Sequence, residues 1–156
     1  MEIVVALGAN LGNRAETFSQ AIKEISNRIG VVKAVSKFIE TKALVLPGSD
    51  PQPDYLNGVV VVETSRTPLE ALDILLHIEQ GLGRIRGLTE LRWQPRTLDL
   101  DLICAENLVI NSEKLTLPHP ELHKRRFVLE PLLEVAPKWR HPILDKTVEE
   151  MLVELS

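Results

Sequence analysis

The chain has 156 residues, 44% of them hydrophobic and 26% charged, with a formal net charge of -4. That size fits one domain, since domains commonly run to about 100–150 residues, and the composition is that of a folded globular protein rather than a disordered tail. The acidic balance speaks against broad nucleic-acid binding, which brings a basic excess. A single cysteine, Cys104, excludes an intramolecular disulfide and a cysteine-rich zinc site.

The N-terminal segment "EIVVALG" is apolar and β-branched and reads as a buried strand ended by Gly8. It is far too short to span a membrane and has no basic region before it, so a cytoplasmic protein with no membrane partner is expected. "GANLGNR" follows as a tight strand-to-helix turn that uses Gly8 and Gly12. It is not a Walker A loop, because the glycine spacing is wrong and no Lys-Ser/Thr follows. Helical spacing of Phe18, Ala21, Ile22, Ile25 and Ile29 predicts a helix from Arg14, with Gly30 as its C-cap.

"VVKAVSKFIET" alternates as a second strand, and "KALVLPGSDPQPD" is a long loop. "YLNGVVVVETS" is a third strand. "TPLEALDILLHIEQGLG" is a second helix, with Thr67 as N-cap, Pro68 at the first helical position and Glu70 closing a capping box. "RIRGLTELRWQPR" is a second long loop and "TLDLDLICA" a fourth strand, within which Cys104 is expected to be a buried structural thiol. "ENLVINSEKLTLPH" suggests a hairpin. "ELHKRRFVLEPLLEVAP" reads as a helical region interrupted by Pro131, and "TVEEMLVELS" as a short terminal helix.

The order β-α-β-β-α-β predicts an α+β fold. Its core is ferredoxin-like, an antiparallel sheet with helices packed on it, followed by a C-terminal hairpin and helices. A single domain over residues 1–156 is expected, and the fold alone assigns no function.

The chemistry concentrates in "RWQPRTLDLDLI", residues 92–103. Alternate strand residues share a face, so Asp99 and Asp101 point together, opposite Leu98, Leu100 and Leu102, and are expected to be buried as a pair. Close like charges repel unless a cation sits between them, and Mg²⁺ binds through one or two carboxylates together with phosphates. The plain alternative is two ordinary acids on a solvent-facing strand. Arg84, Arg86, Arg92 and Arg96 crowd the preceding loop and match phosphate oxygens, while Trp93 can stack on a base or ribose. Salt-bridging of these arginines to Glu79, Glu90 and the aspartates is the competing explanation.

At this point "RWQPRTLDLDLI", together with "LGANLGNR", "PDYLNGVVVVET", "IEQGLGRIR", "LTLPHPELHKRRFVLEPL" and "EVAP", resembles the 6-hydroxymethyl-7,8-dihydropterin pyrophosphokinase (HPPK) family of folate biosynthesis over nearly the whole chain. The resemblance implies transfer of diphosphate from ATP to the pterin hydroxymethyl group, leaving AMP. It implies two Mg²⁺ ions on Asp99 and Asp101, with Arg84 and Arg96 as further catalytic residues beside that pair. Glu79, Arg86, Arg92, Trp93, His119 and Arg125 match positions near ATP. Thr41, Tyr55, Asn57 and Phe127 match the pterin pocket. Aromatic residues are only 4% of the chain, yet Tyr55 and Phe127 both fall at matching positions.

His119 is not assigned as a general base, and His77, His123 and His141 are not expected to be ligands. Gln94 stands where the family has glycine, Lys42 where a proline or an acid is usual, and Arg126 where a small residue is common. The segments 42–54 and 84–95 are expected to act as lids. A monomer acting on small molecules alone is expected. The alternatives are a Mg–ATP phosphotransferase with another acceptor, and a non-enzymatic ferredoxin-like module binding RNA or a metabolite. Aliphatic strands carrying acids disfavour the RNA-binding module.

Overall fold

The computed structural model describes residues 1–10, 13–42, 54–83 and 98–156. Strands β1 (Glu2–Ala9), β2 (Val31–Val35), β3 (Ile39–Thr41), β4 (Tyr55–Glu63) and β5 (Asp99–Ala105) form a five-stranded sheet. Its order is β2-β4-β1-β5, with β3 also on β4, and every pairing is antiparallel. Helices α1 (Arg14–Arg28) and α2 (Pro68–Gly83) cross between the strands. A two-stranded hairpin of β6 (Ile110–Asn111) and β7 (Thr116–Leu117) follows, then α3 (Arg126–Val135) and α4 (Val148–Glu154). The expected α+β architecture is therefore present. No helix among the described residues is long and apolar enough to cross a membrane.

Strand alternation gives the sheet two apolar faces. Ile3, Val5 and Leu7 of β1 with Leu100 and Leu102 of β5 pack against Phe18, Ala21 and Ile25 of α1 and Ala71, Leu75 and Ile78 of α2. Val4, Val59, Val61, Ile103 and Cys104 face the other way, onto Val128, Leu129 and Leu132 of α3 and Met151 of α4. Burial pushes the Cys104 thiol up to about 12, so it stays protonated as a small hydrophobe. The α2 start matches the reading of its sequence: Glu70 N donates to Thr67 Oγ1 at 3.2 Å and Thr67 N to Glu70 Oε1 at 2.9 Å.

Several local expectations are corrected. The second strand is two, β2 and β3, because Ser36 interrupts it. The Ser36 hydroxyl accepts from Val59 N at 2.9 Å and its own N–H donates to Val59 O at 3.0 Å. Gly8 does not end β1 but lies within it, between Asn57 and Asp99 in register. The C-cap of α1 is Ile29, in right-handed geometry. Gly30 is required by space instead: a Cβ there would lie 2.1 Å from the Glu63 carbonyl oxygen. Pro131 sits inside a continuous α3 rather than breaking it. It forgoes one backbone bond and buries its ring among the residues facing the sheet.

Candidate active site

Among the described residues, Thr41, Tyr55, Asn57, Asp99, Asp101, Arg125 and Phe127 gather around one cavity on the α3 side of the sheet. Register sets their positions. Asn57 of β4, Gly8 of β1 and Asp99 of β5 stand in one cross-strand row, and Val59, Ala6 and Asp101 in the next. The two small residues of β1 form a low floor between a polar wall on β4 and an acidic wall on β5. A Cβ added at Gly8 would sit 3.6 Å from Asn57 Oδ1 and 4.0 Å from Tyr55 Cδ1, in the space between them.

Above this floor is a cavity of about 450 Å³ whose lining includes Thr41, Tyr55, Asn57, Asp99, Asp101, Arg125 and Phe127. A second cavity of about 410 Å³ is lined by Leu72, Leu76, Glu79, Lys114, His119 and the same two aspartates. Asp99 and Asp101 thus form the seam between two cavities of ligand size.

Asn57 is 7% exposed. Its Nδ2 donates to Thr41 Oγ1 at 2.8 Å and to the Ile39 carbonyl at 3.4 Å. Read from sequence, Asn57 offers both a donor and an acceptor. In the structure the amino group is engaged, so Oδ1 is the group offered to the cavity, and the Thr41 hydroxyl serves to orient it. Arg125 Cζ lies 5.9 Å from the Phe127 ring centroid, and its Nη1 is 4.0 Å from Asp101 Oδ2. The guanidinium therefore stands between the aromatic wall and the acid pair.

The aspartates share a face as expected but are not buried. Asp99 is partly covered, and the Asp101 side chain is 49% exposed. The half-exposed Asp101 carboxylate leaves the pair accessible to a hydrated cation. Among the described residues no cluster of three or more His, Cys, Asp and Glu side chains could hold a metal by itself. Two carboxylates fit Mg²⁺, which keeps several waters and takes remaining ligands from phosphates, but do not make a self-sufficient protein cage.

On the second cavity, Glu79 is buried and its Oε2 accepts from Leu100 N at 2.9 Å. It ties α2 to the peptide between the two aspartates. His119 Nδ1 accepts from Glu121 N at 3.1 Å, and the His119 backbone N–H donates to the Ile103 carbonyl at 2.8 Å. Burial holds the His119 ring below its usual titration range, opposed by the charge of Asp101 and assisted by that of Arg125. The neutral ring then carries its proton on Nε2, a donor suited to a phosphate or ribose oxygen.

Arg84, Arg86, Arg92, Trp93 and Arg96 lie outside the described residues, as do residues 43–53 of the first segment read as a lid and all of the second, 84–95. His77 and His123 line neither cavity. The sequence reading missed the floor made by Ala6 and Gly8. Their alternation on one face of β1 was visible, but their placement opposite Asn57 and the aspartates depends on strand register.

The family model for 7,8-dihydro-6-hydroxymethylpterin-pyrophosphokinase (HPPK) matches residues 4–137. The chain belongs to this family. A Synechocystis protein named 2-amino-4-hydroxy-6-hydroxymethyldihydropteridine pyrophosphokinase is 40% identical over 153 residues, covering 97% of this chain and 75% of that protein. A Haemophilus influenzae protein of the same name is 42% identical over 133 residues, 85% of this chain and 79% of that one. Among solved structures, HPPK-DHPS of Plasmodium falciparum superposes with a TM-score of 0.73 at 15% identity. That match covers 98% of this chain but 44% of the longer one, and it speaks for the HPPK fold alone.

Proposed function

We propose that the chain transfers a diphosphoryl group from ATP to the hydroxymethyl oxygen of 6-hydroxymethyl-7,8-dihydropterin, leaving AMP, in folate biosynthesis. The observation that carries this reading is the aspartate seam: Asp99 and Asp101 wall both cavities, so two substrates can meet there. The names of the relatives in the family support the same chemistry.

The pterin occupies the cavity of Tyr55, Asn57 and Phe127. Its flat ring lies between aromatic faces, and Asn57 Oδ1 accepts from a ring N–H or amino group. ATP occupies the cavity of Glu79 and His119, with its phosphates running to the seam. The pterin hydroxyl oxygen attacks the β-phosphorus and gives up its proton to water, the bond from that phosphorus to the oxygen bridging to the α-phosphate breaks, and this oxygen leaves on AMP. Transfer of this kind rests on positioning and charge neutralisation.

Asp99 and Asp101 would hold Mg²⁺, two ions in this reading, which supplies charge neutralisation at the phosphates. Arg125 adds a fixed positive charge at the seam and, with Phe127, closes the pterin side. Arg84, Arg86, Arg92, Arg96 and Trp93 are assigned to the nucleotide by the family resemblance. The enzyme acts as a cytoplasmic monomer.

Asp99→Ala and Asp101→Ala test the seam. Each is expected to lower turnover by at least about a hundredfold, the scale of losing a preorganised charge contact to the reacting group. Because the Asp101 side chain is half exposed, melting of Asp101→Ala should move by only about 2 °C. Turnover within about tenfold of the parent in either variant would remove the proposed role.

A further inference from the structure

We propose that Arg14 is a positioning residue for the pterin cavity, acting through β3 and β4; this rests on reading that cavity as the pterin site. Arg14 is the first residue of α1, directly after the N-cap Asn13, whose side chain accepts from Glu16 N at 3.1 Å. Its guanidinium spans two strands. Nη1 donates to the Asp54 carbonyl at 2.7 Å, and Nη2 to the Glu40 carboxylate at 2.7 Å. Glu40 directly precedes Thr41, and Asp54 directly precedes Tyr55. Thr41 and Tyr55 are the last partners of the β3–β4 ladder. Both line the cavity; Arg14 does not.

β3 is only three residues long and, among the described residues, pairs only with β4. So short an edge ladder frays from its open end, which here is the Thr41–Tyr55 pair. Fraying would have a specific consequence, because Asn57 Nδ2 depends on Thr41 Oγ1 at 2.8 Å and the Ile39 carbonyl at 3.4 Å. Losing the ladder end therefore moves Tyr55 and frees Asn57 to turn its Oδ1 away. The planar fork of an arginine can hold one strand's carboxylate and the other's backbone carbonyl together; a lysine ammonium reaches one reliably.

The Arg14 and Glu40 side chains are 27% and 57% exposed, so this ion pair adds little to global stability. Its effect is local: apparent affinity falls with the fraction of molecules in the competent arrangement. The nucleotide cavity contains neither β3 nor Tyr55, so the effect should be confined to one substrate.

The test compares Arg14→Ala, Glu40→Ala, the double variant, Arg14→Lys and Asn57→Ala by steady-state kinetics and thermal melting. Arg14→Ala and Glu40→Ala should each raise the pterin KM about fivefold, the scale on which losing a charge-assisted pair at an exposed site shifts a local equilibrium. The ATP KM should stay within about twofold, and the double variant should be little worse than either single one. Arg14→Lys should recover part of the loss. An unchanged pterin KM in Arg14→Ala, with a raised one in Asn57→Ala, would overturn the role of Arg14 and leave the cavity reading standing. Equal rises in both KM values with a lowered melting point would also overturn it, in favour of a purely structural role. An unchanged pterin KM in Asn57→Ala would overturn the cavity reading, and this inference with it.

Discussion

Replacing Glu79 separates two roles that one carboxylate can have beside a nucleotide. Glu79 is 7% exposed and accepts from Leu100 N at 2.9 Å. Glu79→Ala leaves that β5 N–H without its acceptor, and an unpaired buried donor costs about 1–3 kcal/mol. The adjoining cavity lets water approach, which places the expected loss near the middle, about 2 kcal/mol. For a chain of this size each kcal/mol moves the melting point by about 2–4 °C, so a fall of roughly 6 °C is expected. Glu79→Gln keeps a carbonyl oxygen in place and should lose less than about 1 kcal/mol. Melting followed by calorimetry and urea unfolding at neutral pH would measure both. The same peptide separates Asp99 from Asp101, so turnover should fall in Glu79→Ala more than in Glu79→Gln. Equal damage in the two variants would refute the reasoning, because the charge and not the bond to β5 would then be what matters. An unchanged melting point in Glu79→Ala would refute it as well.

Two further outcomes follow from other sites. His141 is buried, and its Nδ1 accepts from Ile143 N at 3.2 Å and Leu144 N at 3.1 Å; burial and the nearby His123 lower its titration below the usual 6.5. Between the folded and unfolded values the unfolded chain binds more protons, so stability should be full above about pH 6.5 and fall as the pH drops below it. His141→Asn, whose side-chain oxygen can accept the same N–H groups without titrating, should show a shallower acid loss; identical pH profiles for the two proteins would contradict this. Gly30→Ala and Gly8→Ala should behave oppositely. The first meets the Glu63 backbone and should cost about 3 kcal/mol; the second meets only ordinary contacts and should melt within about 2 °C of the parent while raising the pterin KM. A reversed order of melting points would show that the strand packing had been misread.

The sequence made the periodic features legible. Alternation alone put Asp99 and Asp101 on one face and Leu100 and Leu102 on the other, and Tyr55 and Asn57 on a shared face of their strand. Thr67 and Glu70 announced the start of α2 through local hydrogen-bonding chemistry. What stayed hidden depends on partners distant in the chain. Gly8 resembles a turn glycine until β4 and β5 are in register beside it. Gly30 resembles a helix cap until the end of β4 lies against it. The exposure of Asp101 follows from where α3 stops covering the sheet, which no pattern within β5 encodes. Arg14 reads as the first residue of a helix, and nothing local announces its partners Glu40 and Asp54. The split between β2 and β3 turns on one serine hydroxyl.

The most direct test of the account is to measure the products formed from ATP and Mg²⁺ with and without 6-hydroxymethyl-7,8-dihydropterin. The aspartate seam between two cavities predicts AMP, formed only when the pterin is present, together with the pterin diphosphate. ADP in place of AMP, or nucleotide turnover indifferent to the pterin, would contradict it.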